Sequence, residues 1–252
     1  MIALLSPAKT LDYRSAPPPV DATRPRFASE ARTLAAAAGR LGPGRLGELM
    51  GISAKLAALN ADRFRSFEAG EERPALYAFA GDVYRGLEAR TLEPEAVDFA
   101  QDHLRMLSGL YGLLRPLDAI RPYRLEMGTA WAPRRKRLTD WWGNRIARAL
   151  GEDLAAEGSG VVLNLASREY WASVAGRLPA GVRVVTVDFR QAGPDGPRFE
   201  SFAAKRARGA CARWMAEHRI ADVDAMKGFD SDGYAFAGEV DGDVDHWRFV
   251  RG

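Results

Sequence analysis

The chain is poor in the residues that most often announce a chemistry. One cysteine, Cys211, excludes an internal disulfide and fits a reducing compartment. It sits in a helix-like run, AAKRARGACARWMAEH, so a packed thiol is expected rather than a nucleophile. Only three histidines occur, and none shares ligand spacing with another His or Cys, so neither a metal site nor a cofactor is expected. His103 therefore reads as a structural residue. No segment approaches the roughly 18 consecutive apolar residues of a membrane span. The start, MIALLSPAKT, has no basic leader and only a short apolar run, so a cytoplasmic protein with no membrane partner is expected. No repeat, low-complexity tract or linker divides the sequence, and residues 1–252 read as one domain.

What is present is a core-forming composition with a polar charge distribution. Hydrophobic residues make up 47% of the chain, enough for a substantial core. The net charge of +3 conceals an asymmetry: residues 105–148 hold ten basic side chains against three acidic ones, and residues 222–245 hold eight acids against Lys227. Such segregation predicts one positive face suited to a polyanion and one acidic face.

In chain order, IALL at 2–5 reads as a buried strand, and SPAKTLDY turns out of it. The Lys9–Thr10 pair resembles a phosphate-binding loop only superficially, because Ala8 stands where glycine is needed. Proline-rich 15–27 reads as a surface connection. A helix is expected from a Ser29 cap to about Leu41. Residues 46–64 follow as helix, tight turn at Gly51–Ser53, helix, with Leu46, Leu49, Ile52, Leu56 and Leu59 expected on one apolar side. A strand is expected at 75–79, with Asp82 and Tyr84 just beyond it. A helix should run from Pro94 to about Leu107, and another from a Thr139 cap through 140–156. Trp141 and Trp142 are adjacent and cannot share a face, so one is expected in the core and the other at a cleft. GVVLNL at 160–165 is the best buried-strand signal, with Asn164 and Ser167 at its strand-to-helix junction. Strands are expected at 182–189 and 198–202 around a turn. The helix after 203 carries Lys205, Arg206 and Arg208 in its first turns, against the helix dipole, which suggests an anion in front of them. Asp241, Asp243 and Asp245 have calcium-loop spacing, but His246 replaces the required glycine and no glutamate closes the loop.

The segment 105–128, RMLSGLYGLLRPLDAIRPYRLEMG, has neither a strand nor a helix period. Its glycines and prolines break the backbone into turns that let side chains converge. Arg105, Arg115, Arg121 and Arg124, with Tyr111 and Tyr123, are the residue types of a phosphate- or base-binding wall. A folded loop whose arginines pair with Asp118 and Glu126 is the plainer alternative.

The 46–64 segment resembles a helix-hairpin-helix DNA-binding element spanning about 44–67: Leu46, Leu49, Gly51, Ile52, Lys55 and Ala57 match, and Ser53 replaces the second glycine. Hairpin amides and Lys55 would face a phosphate. Over nearly the whole chain, SPAKTLDY, F-x-GDVYxGL, the 105–128 segment, NLAS-x-EY, AKRARG and GFDSDGYAF resemble the YaaA family, bacterial peroxide-stress resistance proteins. The resemblance implies a cytoplasmic, single-domain mixed α/β fold with a central sheet, surrounding helices, a positively charged cleft and the hairpin element. It also implies binding of duplex or distorted, partly single-stranded DNA, and a role in limiting oxidative DNA damage and intracellular iron toxicity.

Two functions follow. In a DNA-binding protective protein, Lys9, Gly51, Ser53, Lys55, Arg105, Arg115, Arg121, Arg124, Lys205 and Arg208 would contact phosphates without regard to sequence, and Tyr111, Tyr123 or a tryptophan would stack on bases. Alternatively, an enzyme acting on a nucleotide, nucleoside or nucleic acid would use a carboxylate–arginine–tyrosine site, with Glu126, Asp82 and Tyr84 as catalytic candidates and a small nucleotide-like ligand. Ser6, Ser108, Asp118, Asn164, Ser167, Asp232 and Tyr234, with the two tyrosines above, would line the cleft in either case.

Overall fold

A computed structural model describes residues 1–252. In chain order the elements are β1 (Ile2–Leu5), β2 (Thr10–Leu11), α1 (Ala28–Gly39), α2 (Gly42–Met50), α3 (Ala54–Arg65), β3 (Arg73–Pro74), α4 (Ala75–Ala78), β4 (Phe79–Ala80), α5 (Asp82–Leu87) and α6 (Pro94–His103). They continue with β5 (Leu104–Ser108), β6 (Gly112–Leu114), β7 (Ala119–Ile120), α7 (Leu138–Trp142), α8 (Arg145–Glu157), β8 (Val161–Asn164), α9 (Arg168–Trp171), β9 (Arg183–Gln191), α10 (Ser201–Glu217), β10 (Tyr234–Val240) and β11 (Asp243–Arg251).

One seven-stranded sheet, ordered β10-β11-β9-β8-β1-β5-β6, organises this single-domain mixed α/β fold. Pairing is parallel from β11 through β5 and antiparallel at both edges. The inner strands β1 and β5 are buried at every residue; β1 is accordingly apolar throughout, while β5 also buries Arg105 and Ser108. Towards the β11 edge the pattern alternates. Val185, Val187 and Phe189 on β9 and Trp247 and Phe249 on β11 are buried, while Thr186, Asp188, His246 and Arg248 between them are partly exposed. Phe189 and Phe249 join Phe229, Tyr234 and Trp214 in an aromatic cluster that seats α10 against the sheet.

Several local expectations differ from the fold. The segment 105–128 enters the main sheet with its first part only: β5 and β6 form the edge hairpin, β7 pairs with β3 in a separate two-stranded sheet, and α6 ends at His103 instead of continuing to 107. Residues 75–78 are helical, and only Phe79 and Ala80 extend, pairing with β2. Residues 198–202 make a single bridge, Gln191 to Arg198, before α10 begins at Ser201. Gly143, at φ 53°, splits the expected 139–156 helix into α7 and α8. Ser29 lies inside α1, not at its cap. Cys211 is buried in α10, and burial pushes its thiol pKa up. His103 stacks on Phe99 at 4.1 Å, with Nδ1 3.0 Å from the Met1 carbonyl oxygen. No helix is long and apolar enough to cross a membrane.

Candidate functional site at the ends of β1 and β8

The inner strands diverge at one point. From β1 the chain travels towards β5, whereas from β8 it travels towards β9 on the other side. Connections that leave in opposite directions open a crevice at the carboxyl ends of these two strands, the usual ligand position in such sheets. A cavity of about 390 Å³ lies there. The loop after β1 supplies Ser6, Lys9 and Thr10; the start of α5 supplies Gly81, Asp82 and Tyr84. The β8–α9 junction adds Ser167, Glu169 and Tyr170, and α10 adds Lys205 and Arg208.

The hydroxyls are fixed by the fold. Ser6 Oγ accepts from Ser167 N–H at 2.8 Å, tying the two loops together. Leu165 N–H donates to the Leu4 carbonyl at 3.1 Å, and Asn164 Oδ1 accepts from Ala166 N–H at 3.1 Å, shaping the turn out of β8. Tyr84 Oη donates to the Ser6 carbonyl at 3.1 Å, and burial pushes its phenol pKa well up, so it remains a neutral donor. Burial does the same to Tyr170.

The charges differ in how far they are satisfied. Glu126 Oε1 receives Arg124 Nε and Nη2 at 3.1 and 3.0 Å, and Lys9 Nζ lies 3.3 Å away. This carboxylate therefore orients two cations at the cavity rim. Glu169 Oε1 accepts from Gly128 N–H at 2.9 Å, which joins the end of the 105–128 segment to the site. Asp82 has only Arg85, at 3.7 Å, and stays available to the cavity. Lys205 has an aromatic neighbour, Phe202, 5.6 Å from its ammonium, and no carboxylate. Arg208 is the least compensated: it is part-buried, its Nε is shielded from water with no acceptor, and desolvation pulls its pKa down, with only Asp188 opposing. An anion in the cavity would satisfy it.

Other sequence-predicted residues fall elsewhere. Arg105 is buried, and its donors go to Asp153 at 2.6 Å and to the Gln101, Asp102 and Leu104 carbonyls; it holds the fold and is withdrawn from phosphate contact. Tyr111 and Tyr123 are 3% and 5% exposed, so neither can stack on a base. Tyr123 Oη meets Ser108 Oγ at 2.6 Å, Ser108 Oγ accepts from Tyr111 N–H, and Tyr111 Oη accepts from Arg121 N–H. Ser108 is thus core, not cleft. Asp118 is 2% exposed and accepts from Thr23 Oγ1 at 2.6 Å and Arg115 N–H at 2.8 Å, which anchors the proline-rich connection. Arg115 is half-exposed beside it, and Arg121 pairs with Glu72 at 2.9 Å. Tyr234 is buried, with its Oη taking a donor from Gln191. Asp232 pairs with Arg206 at 3.3 Å. At the N-cap of α10, Glu200 accepts from the Phe202 and Ala203 N–H groups and so caps the helix without pairing with the cations that follow. Gly81, Glu169 and Tyr170 were not expected at the site from the sequence, although they belong to GDVYxGL and NLAS-x-EY.

The hairpin is formed by α2 and α3. Gly51 turns with φ 59°, and Ser53 caps α3, accepting from Leu56 N–H at 3.4 Å. Of the expected apolar stripe, Leu46 is buried, but Leu56 and Leu59 are 40% and 44% exposed, because Ala57, Asn60, Ala61 and Phe64 form the inward face of α3.

SPAKTLDY, GDVYxGL, NLAS-x-EY and AKRARG, far apart in sequence, all line the one cavity, and LEMG reaches it through Glu126 and Gly128. Comparison with known proteins agrees with that pattern. The family model described as "Peroxide stress protein YaaA" matches residues 1–240. The chain belongs to this family. A UPF0246 protein of Rhizorhabdus wittichii is 60% identical over 252 residues, spanning 100% of this chain and 99% of that relative. A UPF0246 protein of Jannaschia sp. is 48% identical, spanning 95% and 93% of the two chains. The UPF0246 protein RSc2009 of Ralstonia nicotianae is 46% identical, spanning 100% and 99%. A YaaA-family role in peroxide stress is thereby supported.

Proposed function

We propose that the chain serves peroxide-stress resistance by binding DNA through sequence-independent phosphate contacts, limiting oxidative damage to it and the toxicity of intracellular iron. The helical hairpin carries this reading. Lys55 is exposed and free of any acidic partner at the start of α3, and Leu56 and Leu59 face outward beside it. A helix start with a lysine and outward apolar side chains suits a phosphate and the adjoining sugar edge. Lys9, Lys205 and Arg208 at the cavity would extend the contact along a basic cleft.

The test is fluorescence anisotropy with labelled duplex and single-stranded DNA over a salt series. Wild type is expected to bind with affinity falling steeply as salt rises, and Lys55→Glu is expected to weaken binding by about tenfold. No binding by wild type at low salt overturns the reading. In a companion assay, bound protein reduces plasmid nicking by ferrous iron and peroxide, and Lys55→Glu loses that effect.

A second reading, an enzyme acting on a nucleotide, nucleoside or nucleic acid, is favoured by the cavity itself. Asp82 lies there without a close partner beside the neutral phenol of Tyr84 and the uncompensated Arg208. That set can hold a phosphate and accept a proton. Chromatography of nucleotides and oligonucleotides incubated with wild type and Asp82→Asn decides it: turnover abolished in the variant with DNA affinity intact supports catalysis, and no turnover by wild type removes it.

A further inference from the structure

We propose that a second pocket, between the 132–135 turn and the start of α8, grips the phosphodiester backbone of a nucleic acid independently of the hairpin and of the β1/β8 cavity. The proposal rests on the nucleic-acid reading above and adds a contact region to it.

The pocket encloses about 440 Å³ and is lined by Arg134, Arg135, Arg145 and Arg148, with Trp141 and a single carboxylate, Asp140. None of the six cations between Arg134 and Arg148 has an acidic side chain within ion-pair distance, whereas Arg124, the cation that precedes them, is paired with Glu126. Like charges gathered without counterions repel one another, and a polyanion removes that repulsion.

Arg145 adds a more specific signal. Its guanidinium lies 4.5 Å from the Trp141 ring centre and 6.0 Å from that of Trp142, so the indoles hold it in place. Its Nη1 is shielded from water and has no acceptor. A guanidinium held by aromatic rings with an unused donor is prepared for an oxygen anion.

The turn supplies the third observation. Ala132 and Arg135 exchange backbone hydrogen bonds of 3.3 and 3.1 Å, closing a tight turn over Pro133 and Arg134. Arg134 sits there with φ 59°, a left-handed position at which glycine or asparagine is favoured after a proline. The chain thus carries an arginine at a strained backbone position beside three others, as expected where the side chain and not the turn is what matters.

A nucleic-acid backbone fits better than an acidic peptide. The only large apolar groups on the pocket wall are Trp141 and Trp142; Trp142 is buried and Trp141 is covered by Arg145, which leaves no recess for a peptide's apolar anchor. Phosphodiesters need no such anchor.

The experiment compares wild type, Arg135→Ala/Arg148→Ala and Arg134→Gly for binding of fluorescein-labelled duplex and single-stranded oligonucleotides across salt. Arg135 and Arg148 are exposed, so their loss should leave the fold intact. The double variant is expected to bind about tenfold more weakly at low salt and to flatten the duplex salt slope by roughly 2. Arg134→Gly is expected to weaken binding while its melting temperature equals or exceeds that of wild type. Wild-type affinity and slope in all variants overturn the pocket assignment while leaving DNA binding standing; no binding by wild type overturns both. Polyglutamate of matched charge competing as well as unlabelled oligonucleotide also overturns the phosphodiester assignment.

Discussion

Gly209 on α10 lies against Val83 on α5 so closely that a Cβ there would come within 1.7 Å of the Val83 carbonyl oxygen. Gly86 mirrors it, with a notional Cβ 2.0 Å from the Arg206 carbonyl oxygen. The glycines of AKRARG and GDVYxGL are therefore one device: they let two helices cross with backbones touching, and the crossing delivers Arg208 and Tyr84 to the same cavity. Gly209→Ala must push the helices apart. A loss of about 3 kcal/mol or more is expected in denaturant unfolding, the upper range for overpacking, because the obstacle is backbone and cannot rotate away. A loss below roughly 1 kcal/mol would mean that the helices slide apart at little cost.

The seven tyrosines yield a pH prediction. Burial raises the pKa of every one: Tyr13, Tyr77, Tyr84, Tyr111, Tyr123, Tyr170 and Tyr234. A phenol whose folded pKa exceeds its unfolded one adds stability that is fully present below the unfolded value, near 10, and lost as pH rises through the folded value. Absorbance of ionised tyrosine should therefore stay flat through pH 10 and rise only as unfolding begins. A reversible rise near 10 with circular dichroism unchanged would show that the phenols are open to water.

Asp12 behaves in the opposite sense. Its carboxylate accepts the Ser15 and Arg14 amides at 3.0 and 2.9 Å, and these bonds pull its pKa from 3.8 to about 2. A depressed carboxyl pKa contributes stability above the unfolded value of 3.8 that disappears as pH falls towards 2. Carboxyl NMR titration should place the Asp12 midpoint near 2, and Asp12→Asn should lessen the acid dependence of stability within that window.

The strands that could be read directly were β1 and β8, whose apolar runs are short and uninterrupted, and β9, whose residues alternate. The 105–128 segment could not, because β5 is buried on both faces and loses its alternation, while Gly109, Gly112 and Pro116 suggest a loop. At the C-terminus the acidic residues obscured a hairpin signal: Asp241–Gly242, with φ 53° and 76°, turns β10 into β11. The site was legible as motifs but not as a place. Only the sheet order, which lays β8 beside β1, brings Ser167 to Ser6 across 161 residues of chain. Burial, which residue type does not report, then sorts Arg208 from Arg105: one faces a cavity without a partner, the other is spent on Asp153.

That contrast sets the last prediction. Arg208 has no hydrogen-bond partner at Nε and no ion pair, yet burial depresses its pKa, so the fold bears an uncompensated cation. Replacing it with a similarly long apolar side chain removes the unsatisfied charge. Arg208→Met should melt at or above wild type in anion-free buffer, with a gain of roughly 1 kcal/mol. Inorganic phosphate should raise the melting temperature of wild type, since a ligand bound only by the folded state stabilises it by mass action, and should do nothing specific for Arg208→Met. A neutral salt series at matched ionic strength separates this effect from screening. If the variant is destabilised and still responds to phosphate as wild type does, the guanidinium is a packing element and the cavity does not use it for anions.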